Sequence, residues 1–309
     1  SSSTAPASSA ADTRSAMISR VTSQTLAQSA LRNLQSGLSD LARLQNQATS
    51  QRAFAAPSDD PAAAAAALDL HAAQRRNDQY ARNIGDGLTW VTTVDNAISA
   101  STSLLGRARD LTLRGANSGA LDANAREAIA LELETIADEL LAQANTTLLG
   151  RSVFAGTAEG SAFGPDFAFA GVPGSEVRRR VADGETVRVD ASGAEVFGSG
   201  EDSVFALIGS IVADLRGGAD VRGRIDQIDD RMNAMLGVQG TVGARQNQIM
   251  RAKDAAADAT VSLEAQRAAI EDIDTVEVLV ALKSQELVYQ SALAVTARVM
   301  QPTLMDFLR

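Results

Sequence analysis

Residues 273–300 carry apolar side chains on more of their circumference than one partner helix can cover. One stripe at helical spacing consists of Leu279, Leu282, Tyr289, Leu293 and Met300, and a second stripe beside it consists of Ile273, Val276, Val280, Leu287 and Ala294. A helix of about 27 residues is roughly 40 Å long, and with apolar residues on two sides it is unstable alone in water. We therefore predict that this helix packs on another part of the chain with one side and on neighbouring subunits with the other.

The N-terminal region supplies the partner within the chain. Its apolar residues alternate steps of three and four, as in a coiled coil, at Leu31, Leu34, Leu38 and Leu41. We predict that residues 17–50 and 275–309 pair as an antiparallel terminal coiled-coil domain. The predicted subunit-interaction surface consists of Leu31, Leu34, Leu38, Leu41, Leu279, Leu282, Leu287, Tyr289, Leu293 and Met300.

The first sixteen residues lack the basic and apolar regions of a cleavable secretory signal. We expect them to be a disordered leader or a segment added to the native chain. A break in the helical pattern then follows residue 50 and contains Pro57, Ser58, Asp59, Asp60 and Pro61. Serine and aspartate cap helices, and proline suits a first helical turn, so we interpret this segment as a hinge or turn.

The interior of the chain has two kinds of pattern. Helical spacing is clear to about residue 114, where Ile84, Val91, Ile98 and Leu105 lie seven residues apart, again over about 124–149, and again from residue 204. Between residues 150 and 200 glycines are frequent, and the short runs at 167–169, 176–181 and 186–189 are typical of strands.

These patterns predict a mainly α protein with a nested plan. Both chain ends form a long antiparallel helical bundle, residues 51–151 and 201–274 form a helical core domain, and residues 152–200 form a small β-rich insertion domain. Antiparallel helices pair without long crossovers in such a plan.

Composition excludes several classes of function. Aromatic residues make up 4% and apolar residues 45% of the chain, as in long packed helices, and the formal net charge is −10. A protein that binds nucleic acids or anionic membranes needs clustered cationic side chains, so we expect neither as a partner. The chain has no cysteine, which excludes disulfides and thiolate sites, and its longest apolar run, 62–68, is too short to span a bilayer.

Catalytic patterns are equally scarce in the sequence. The only histidine, His71, has no patterned acid beside it, and no nucleophile-elbow, phosphate-loop or zinc-helix motif occurs. The acids at Glu271, Asp272, Asp274 and Glu277 fit a helix N-terminus better than a calcium loop, which needs a mid-loop glycine where Glu277 stands. We predict no catalytic residue, no cofactor and no metal, so the chain is not expected to be an enzyme.

Three segments resemble one known family. Residues 32–68, RNLQSGLSDLARLQNQATSQRAFAAPSDDPAAAAAAL, are similar to the N-terminal signature of the flagellin family, and AIEDIDTVEVLVALKSQELVYQSALAVTARVMQPTLMDFLR is similar to its C-terminal segment. VGARQNQI, residues 242–249, resembles the helix before that segment. Residues 107–157, ending in GRSVFAGT, are closer to the hook-associated protein 3 branch of this family than to flagellins.

The resemblance implies a flagellin-like fold and a structural role outside the cell. It implies export through the flagellar secretion apparatus with the help of an export chaperone, then self-assembly into a ring at the hook–filament junction, between the first hook-associated protein and the flagellin filament. Two alternatives remain open from the sequence: a flagellin of the filament itself, and an enzyme carried on a flagellin-like scaffold whose site would lie in the insertion.

Overall fold

The computed structural model describes residues 9–116 and 122–300, and in these ranges seven α-helices and four short strands follow one another. In chain order they are α1 (Ser9–Ser50), α2 (Pro61–Ala116), α3 (Ala123–Ala144), β1 (Thr147–Leu148), β2 (Arg151–Ser152), β3 (Arg178–Ala182), β4 (Glu185–Arg188), α4 (Gly193–Phe197), α5 (Val204–Gly217), α6 (Arg222–Glu271) and α7 (Thr275–Met300). The mainly helical fold with a small β part agrees with the sequence prediction.

The chain divides into two compact units. The terminal unit contains the chain up to Ala72 and from Leu263, and the central unit is Ala73–Ser262. The divisions therefore lie inside α2 and α6, rather than after residue 50 and before residue 275 as the sequence predicts. In the terminal unit, His71 of α2 hydrogen-bonds to the side chain of Glu271 at the end of α6, and the carbonyl oxygen of Glu271 accepts a hydrogen bond from Ala53 in the turn after α1.

The helix α1 begins earlier than predicted. Residues 9–16 are helical and not a disordered leader. Neither proline nor glycine interrupts the sequence between Pro6 and Gly37, and extending an existing helix forms one hydrogen bond for each residue fixed. Residues 1–8 of the predicted leader, and residues 301–309 of the predicted terminal domain, lie outside the described residues.

Two long helices provide the core of the central unit. Every seventh residue is buried on α2, at Ile84, Val91, Ile98 and Leu105, and on α6, at Ile228, Met235, Val242 and Ile249. The two helices are antiparallel, since Asn77 Nδ2 donates to Ala256 O at 2.9 Å near one end and Arg109 Nε donates to Asp229 Oδ1 at 2.6 Å near the other. The predicted heptad spacing of α2 is thus confirmed.

The insertion contributes few strands and shares the core of the helices. The runs at 176–181 and 186–189 form the antiparallel pair β3–β4, whereas 167–169 makes only an isolated bridge from Phe163 to Phe169. Phe167 has a φ of 61°, which interrupts an extended strand. Phe163 lies 5.2 Å from Phe205 of α5, ring centre to ring centre, so the insertion is part of the central unit rather than a separate domain.

The helix α3 ends at Ala144 and not near residue 149. Asn145 caps it and exchanges two side-chain hydrogen bonds with the backbone of Phe163, at 2.9 and 3.0 Å. A tight turn at Leu149 and Gly150 then joins β1 to β2. The predicted cap Asp122 accepts a hydrogen bond from the backbone nitrogen of Ala125, which fixes the start of the helix.

Candidate assembly interface

The helices α1 and α7 pack against each other in the terminal unit. They run antiparallel, because Arg52 pairs with Asp272 at one end while Gly37 accepts a hydrogen bond from Gln285 further along. Half-buried residues alternate steps of four and three on both helices, as in a coiled-coil seam. The seam consists of Ala30, Leu34, Gly37, Leu41, Leu44 and Ala48 on α1 and Val278, Leu282, Gln285, Tyr289, Ala292 and Thr296 on α7.

The structure brings only part of the predicted interaction set into this seam. Leu34, Leu41, Leu282 and Tyr289 are half-buried there. Leu31, Leu38, Leu279, Leu287 and Leu293 are exposed instead, and the side chain of Met300 lies outside the described residues. The sequence analysis placed Leu31 and Leu34 on one stripe of α1, and Leu279 and Leu282 on one stripe of α7. In the structure, the two members of each pair lie on adjacent sides of their helix.

Sequence reasoning also missed members of the seam that are not large and apolar. Gly37 and Gln285 occupy seam positions, and a Cβ atom on Gly37 would meet the Tyr289 ring at 3.5 Å. The aromatic ring of Tyr289 therefore lies against the bare backbone of α1. One signal in the sequence could have identified such positions on α1. The alternating steps of four and three between seam residues continue without a break through Gly37 and Leu44.

The face of α7 opposite the seam is apolar and exposed. We name Val276, Val280, Leu287 and Ala294 the outer stripe. Val280 and Leu287 are each 66% exposed, and in the heptad they lie on the far side from Leu282 and Tyr289. Ile273, predicted in this stripe, precedes the helix and is half-buried. Within the described chain, α7 thus buries one of its two apolar sides.

The corresponding face of α1 is polar. Arg32, Ser39 and Asn46 occupy the positions opposite its seam and are all exposed. The two paired helices therefore differ on the side away from the seam: this side is polar on α1 and apolar on α7. An exposed apolar surface of this kind is typical of a protein–protein contact.

Backbone hydrogen bonds fasten the turn after α1 to the turn before α7. The backbone nitrogen of Ala53 donates to the carbonyl oxygen of Glu271 at 2.7 Å, and Gln47 Nε2 donates to the carbonyl of Ala53 at 2.6 Å. The side chain of Glu271 accepts hydrogen bonds from His71 Nε2 at 2.7 Å and Arg267 at 3.2 Å. These bonds set the register of the α1–α7 pair.

Glu271 is the charged centre of this arrangement. Its side chain is only 8% exposed, and burial alone would raise its pKa, but the hydrogen bonds from His71 and Arg267 outweigh burial and hold the pKa below the ordinary value of 4.5. The sequence assigned Glu271 to the start of the last helix and left His71 without a partner. Two residues 200 positions apart could not be paired from spacing alone.

The predicted hinge or turn is ordered by two aspartates. Asp59 Oδ2 accepts hydrogen bonds from the backbone nitrogens of Ala56 and Ala55, at 2.9 and 3.1 Å, and these bonds lower the pKa of Asp59. Asp60 Oδ1 accepts from the nitrogen of Ala63, and α2 begins at Pro61. Pro57 and Ser58 lie in the same turn. A hinge motion here stays a prediction.

Neither a metal cluster nor a membrane-spanning helix is found in the part of the chain that the structure describes. Over residues 9–116 and 122–300, no three His, Asp or Glu side chains gather as metal ligands would. In the same ranges no helix combines the length and the apolar character that crossing a bilayer requires.

Two family models match the ends of this chain. The bacterial flagellin N-terminal helical region matches residues 21–159, and the bacterial flagellin C-terminal helical region matches residues 225–308. Together they cover well over half of the 309 residues. The chain belongs to the flagellin family. The seam of α1, from Ala30 to Ala48, and the whole of α7 fall within the two matched regions, and membership of this family places the chain in the bacterial flagellum.

The hook-associated proteins and the flagellins of this family differ in how much of this chain they match. Flagellar hook-associated protein 3 of Salmonella typhimurium is 25% identical over 304 residues, covering 88% of this chain and 94% of its own. Flagellin A of Vibrio anguillarum is 39% identical over only 92 residues, covering 30% of this chain and 24% of its own. This difference in coverage favours the hook-associated group of the family over the flagellins.

Solved structures share the fold. FlgL of Bacillus cereus is 20% identical with a TM-score of 0.57, covering 65% of this chain and 99% of the other. The flagellar junction protein FlgL of Legionella pneumophila is 15% identical with a TM-score of 0.54, covering 67% and 99%. At these identities the likeness shows the fold of the matched part of the chain.

The contact of Gly37 with Tyr289 leads to a stability prediction. We expect Gly37→Ala to stabilise the α1–α7 pair by about 1 kcal/mol, because alanine favours a helix interior and its Cβ would lie at an ordinary contact distance from the ring. Backbone amides of α1 and α7 should then exchange with solvent about fivefold more slowly. Gly243→Ala on α6 is the matched control and should leave that exchange unchanged. Faster exchange in Gly37→Ala would mean that the added methyl group displaces Tyr289.

The lowered pKa of Glu271 predicts an acid-sensitive terminal unit. A carboxylate with a folded-state pKa below its unfolded value of 4.5 contributes stability above pH 4.5, and this contribution disappears as the pH falls through the folded-state pKa. Amide protection at residues 47–53, corrected for intrinsic exchange, should therefore fall with the pH below about 4.5 in the native chain. Glu271→Gln should remove this component, and Glu264→Gln, an exposed control on α6, should retain it. A pH profile unchanged by Glu271→Gln would contradict the assignment.

Proposed function

We propose that this chain is the structural subunit that joins the hook to the filament of a bacterial flagellum. The observation that carries the proposal is the similarity to hook-associated protein 3 over nearly the whole of both chains, whereas flagellins match only 92 residues. A protein with the same fold, the flagellar junction protein FlgL of Legionella pneumophila, supports the same location.

The subunit acts by assembly and not by catalysis. The apolar outer stripe of α7 supports this, because its burial requires surfaces that α1 does not provide. In the proposed role the outer stripe packs against neighbouring copies in a ring, with the first hook-associated protein on one side and flagellin on the other. Leu31 and Leu38 are exposed on α1 and offer a separate apolar contact on that helix.

The exposed stripes also suggest how the chain reaches its site. An exported subunit leaves the cell before assembly, so its apolar faces need cover until then. An export chaperone with a groove for an amphipathic helix would take α7 by this face. The final location in this proposal is extracellular, at the hook–filament junction.

Removing the gene tests the proposal. The mutant cells should carry complete hooks without filaments, and flagellin should accumulate unassembled in the medium, because the filament would lack its attachment site. Electron microscopy of the cell surface and a blot of the medium check both results. Normal filaments on the mutant would contradict the proposal.

Labelling separates the junction role from the flagellin alternative. Antibodies against the central unit should bind at the base of each filament only. Labelling along the whole filament would identify the chain as a filament subunit.

A further inference from the structure

One exposed turn in the central unit has a conformation that its sequence disfavours. Among the described residues, three other than glycine have a positive φ: Gln51, Leu149 and Phe167. Gln51 directly follows α1, at a helix end where such a conformation is common. Phe167 stacks on Phe205, with ring centres 5.0 Å apart, which compensates for its backbone conformation. Leu149 is 88% exposed and makes no comparable packing contact.

The fold itself does not require leucine at this position. Leu149 and Gly150, with φ values of 52° and 79°, form the two-residue turn between β1 and β2. Such turns favour asparagine followed by glycine, because asparagine tolerates a positive φ and water. A leucine here is disfavoured by both its backbone conformation and the exposure of its side chain. Its neighbour Leu148 packs on the core, so the turn is held firmly behind the exposed residue.

The same unit carries an open apolar groove between α3 and α5. Its lining includes the apolar residues Ala137, Phe167, Ile208 and Val212, and its volume is about 640 Å³. Glu134, Asp138 and Arg216 also line it, and Arg216 pairs with Glu134 at 2.7 Å. Gly209 lies at this groove, is exposed, and has open space where a Cβ atom would stand. The groove is thus wide enough at Gly209 to admit a side chain from outside.

We propose that Leu149 of one subunit inserts into the α3–α5 groove of the next copy of this chain. This inference rests on the proposed assembly of the chain into a ring. A ring needs a heterologous contact, in which one surface of a subunit meets a different surface of its neighbour, and a rigid apolar projection with an apolar groove on the same chain meets that need. The outer stripe of α7 would join the terminal units, and Leu149 would fix the central units around the ring.

A double-cysteine variant tests the contact directly. The chain has no cysteine, so Leu149→Cys and Gly209→Cys introduce the only two thiols. In flagella isolated from cells that carry both substitutions, mild oxidation should give disulfide-linked species larger than dimers on a non-reducing gel. Each single variant should remain monomeric, because two copies of the same site do not meet. Monomers alone from the double variant in intact flagella would overturn the proposal.

A second variant addresses the energetics without a cross-link. Leu149→Asn should keep or raise the melting temperature of the purified chain, since asparagine suits the turn. It should nevertheless reduce the fraction of cells that bear filaments. Val172→Asn replaces another exposed apolar residue, 51% exposed, and should leave filaments at the native level. Normal filaments with Leu149→Asn would also overturn the proposal.

These outcomes are distinct from failure of the proposed function. If the chain is not a junction subunit, antibodies against the native protein will label either the whole filament or no part of it, and not its base alone. If only the contact is wrong, the label remains at the filament base while the double-cysteine variant gives no cross-linked species.

Discussion

The structure depends on a mismatch between the two paired helices at the chain ends. The helix α7 is apolar on two opposite sides, whereas α1 is apolar on one side and polar on the other. Pairing through Leu34, Leu41, Leu282 and Tyr289 covers the seam side of both helices. It leaves Leu31 and Leu38 exposed on α1 and the whole outer stripe exposed on α7. A helix with an unburied apolar side needs a further partner, and in a family of flagellar structural proteins other subunits can supply it.

The register of the α1–α7 pair is set at one end of the pair, near Glu271. Glu271 accepts a backbone hydrogen bond from Ala53 and side-chain hydrogen bonds from His71 and Arg267, so the two turns that border the terminal helices are joined at one point. Burying a carboxylate costs free energy unless it is paired, so Glu271 needs its hydrogen-bond partners at this point of the fold. The seam from that point outwards then follows from heptad geometry.

Much of this fold could be predicted from the sequence, because its helices are long and strongly periodic. The heptads at Ile84, Val91, Ile98 and Leu105, the start of α2 at Pro61 and the strand runs of β3 and β4 were all visible in local spacing. The family resemblance at both chain ends was visible as well.

The parts that could not be predicted depend on contacts distant in sequence or on residues that hydrophobic spacing ignores. His71 with Glu271 is an example of the first kind, and Gly37 against Tyr289 is an example of the second. The insertion was expected to be a separate β-rich domain because its glycine content hid the shared phenylalanine core around Phe205. The exposed Leu149 could not be recognised either, since only the structure shows its positive φ.

We infer that neighbouring subunits cover the outer stripe of α7 in the flagellum. Thiol accessibility at Leu287 tests it most directly, because the native chain has no cysteine and this side chain is 66% exposed. A maleimide reagent should modify Leu287→Cys rapidly in the purified soluble chain and many times more slowly in isolated flagella that carry the same variant. Equal rates of modification in the soluble chain and in the assembled flagella would contradict the account.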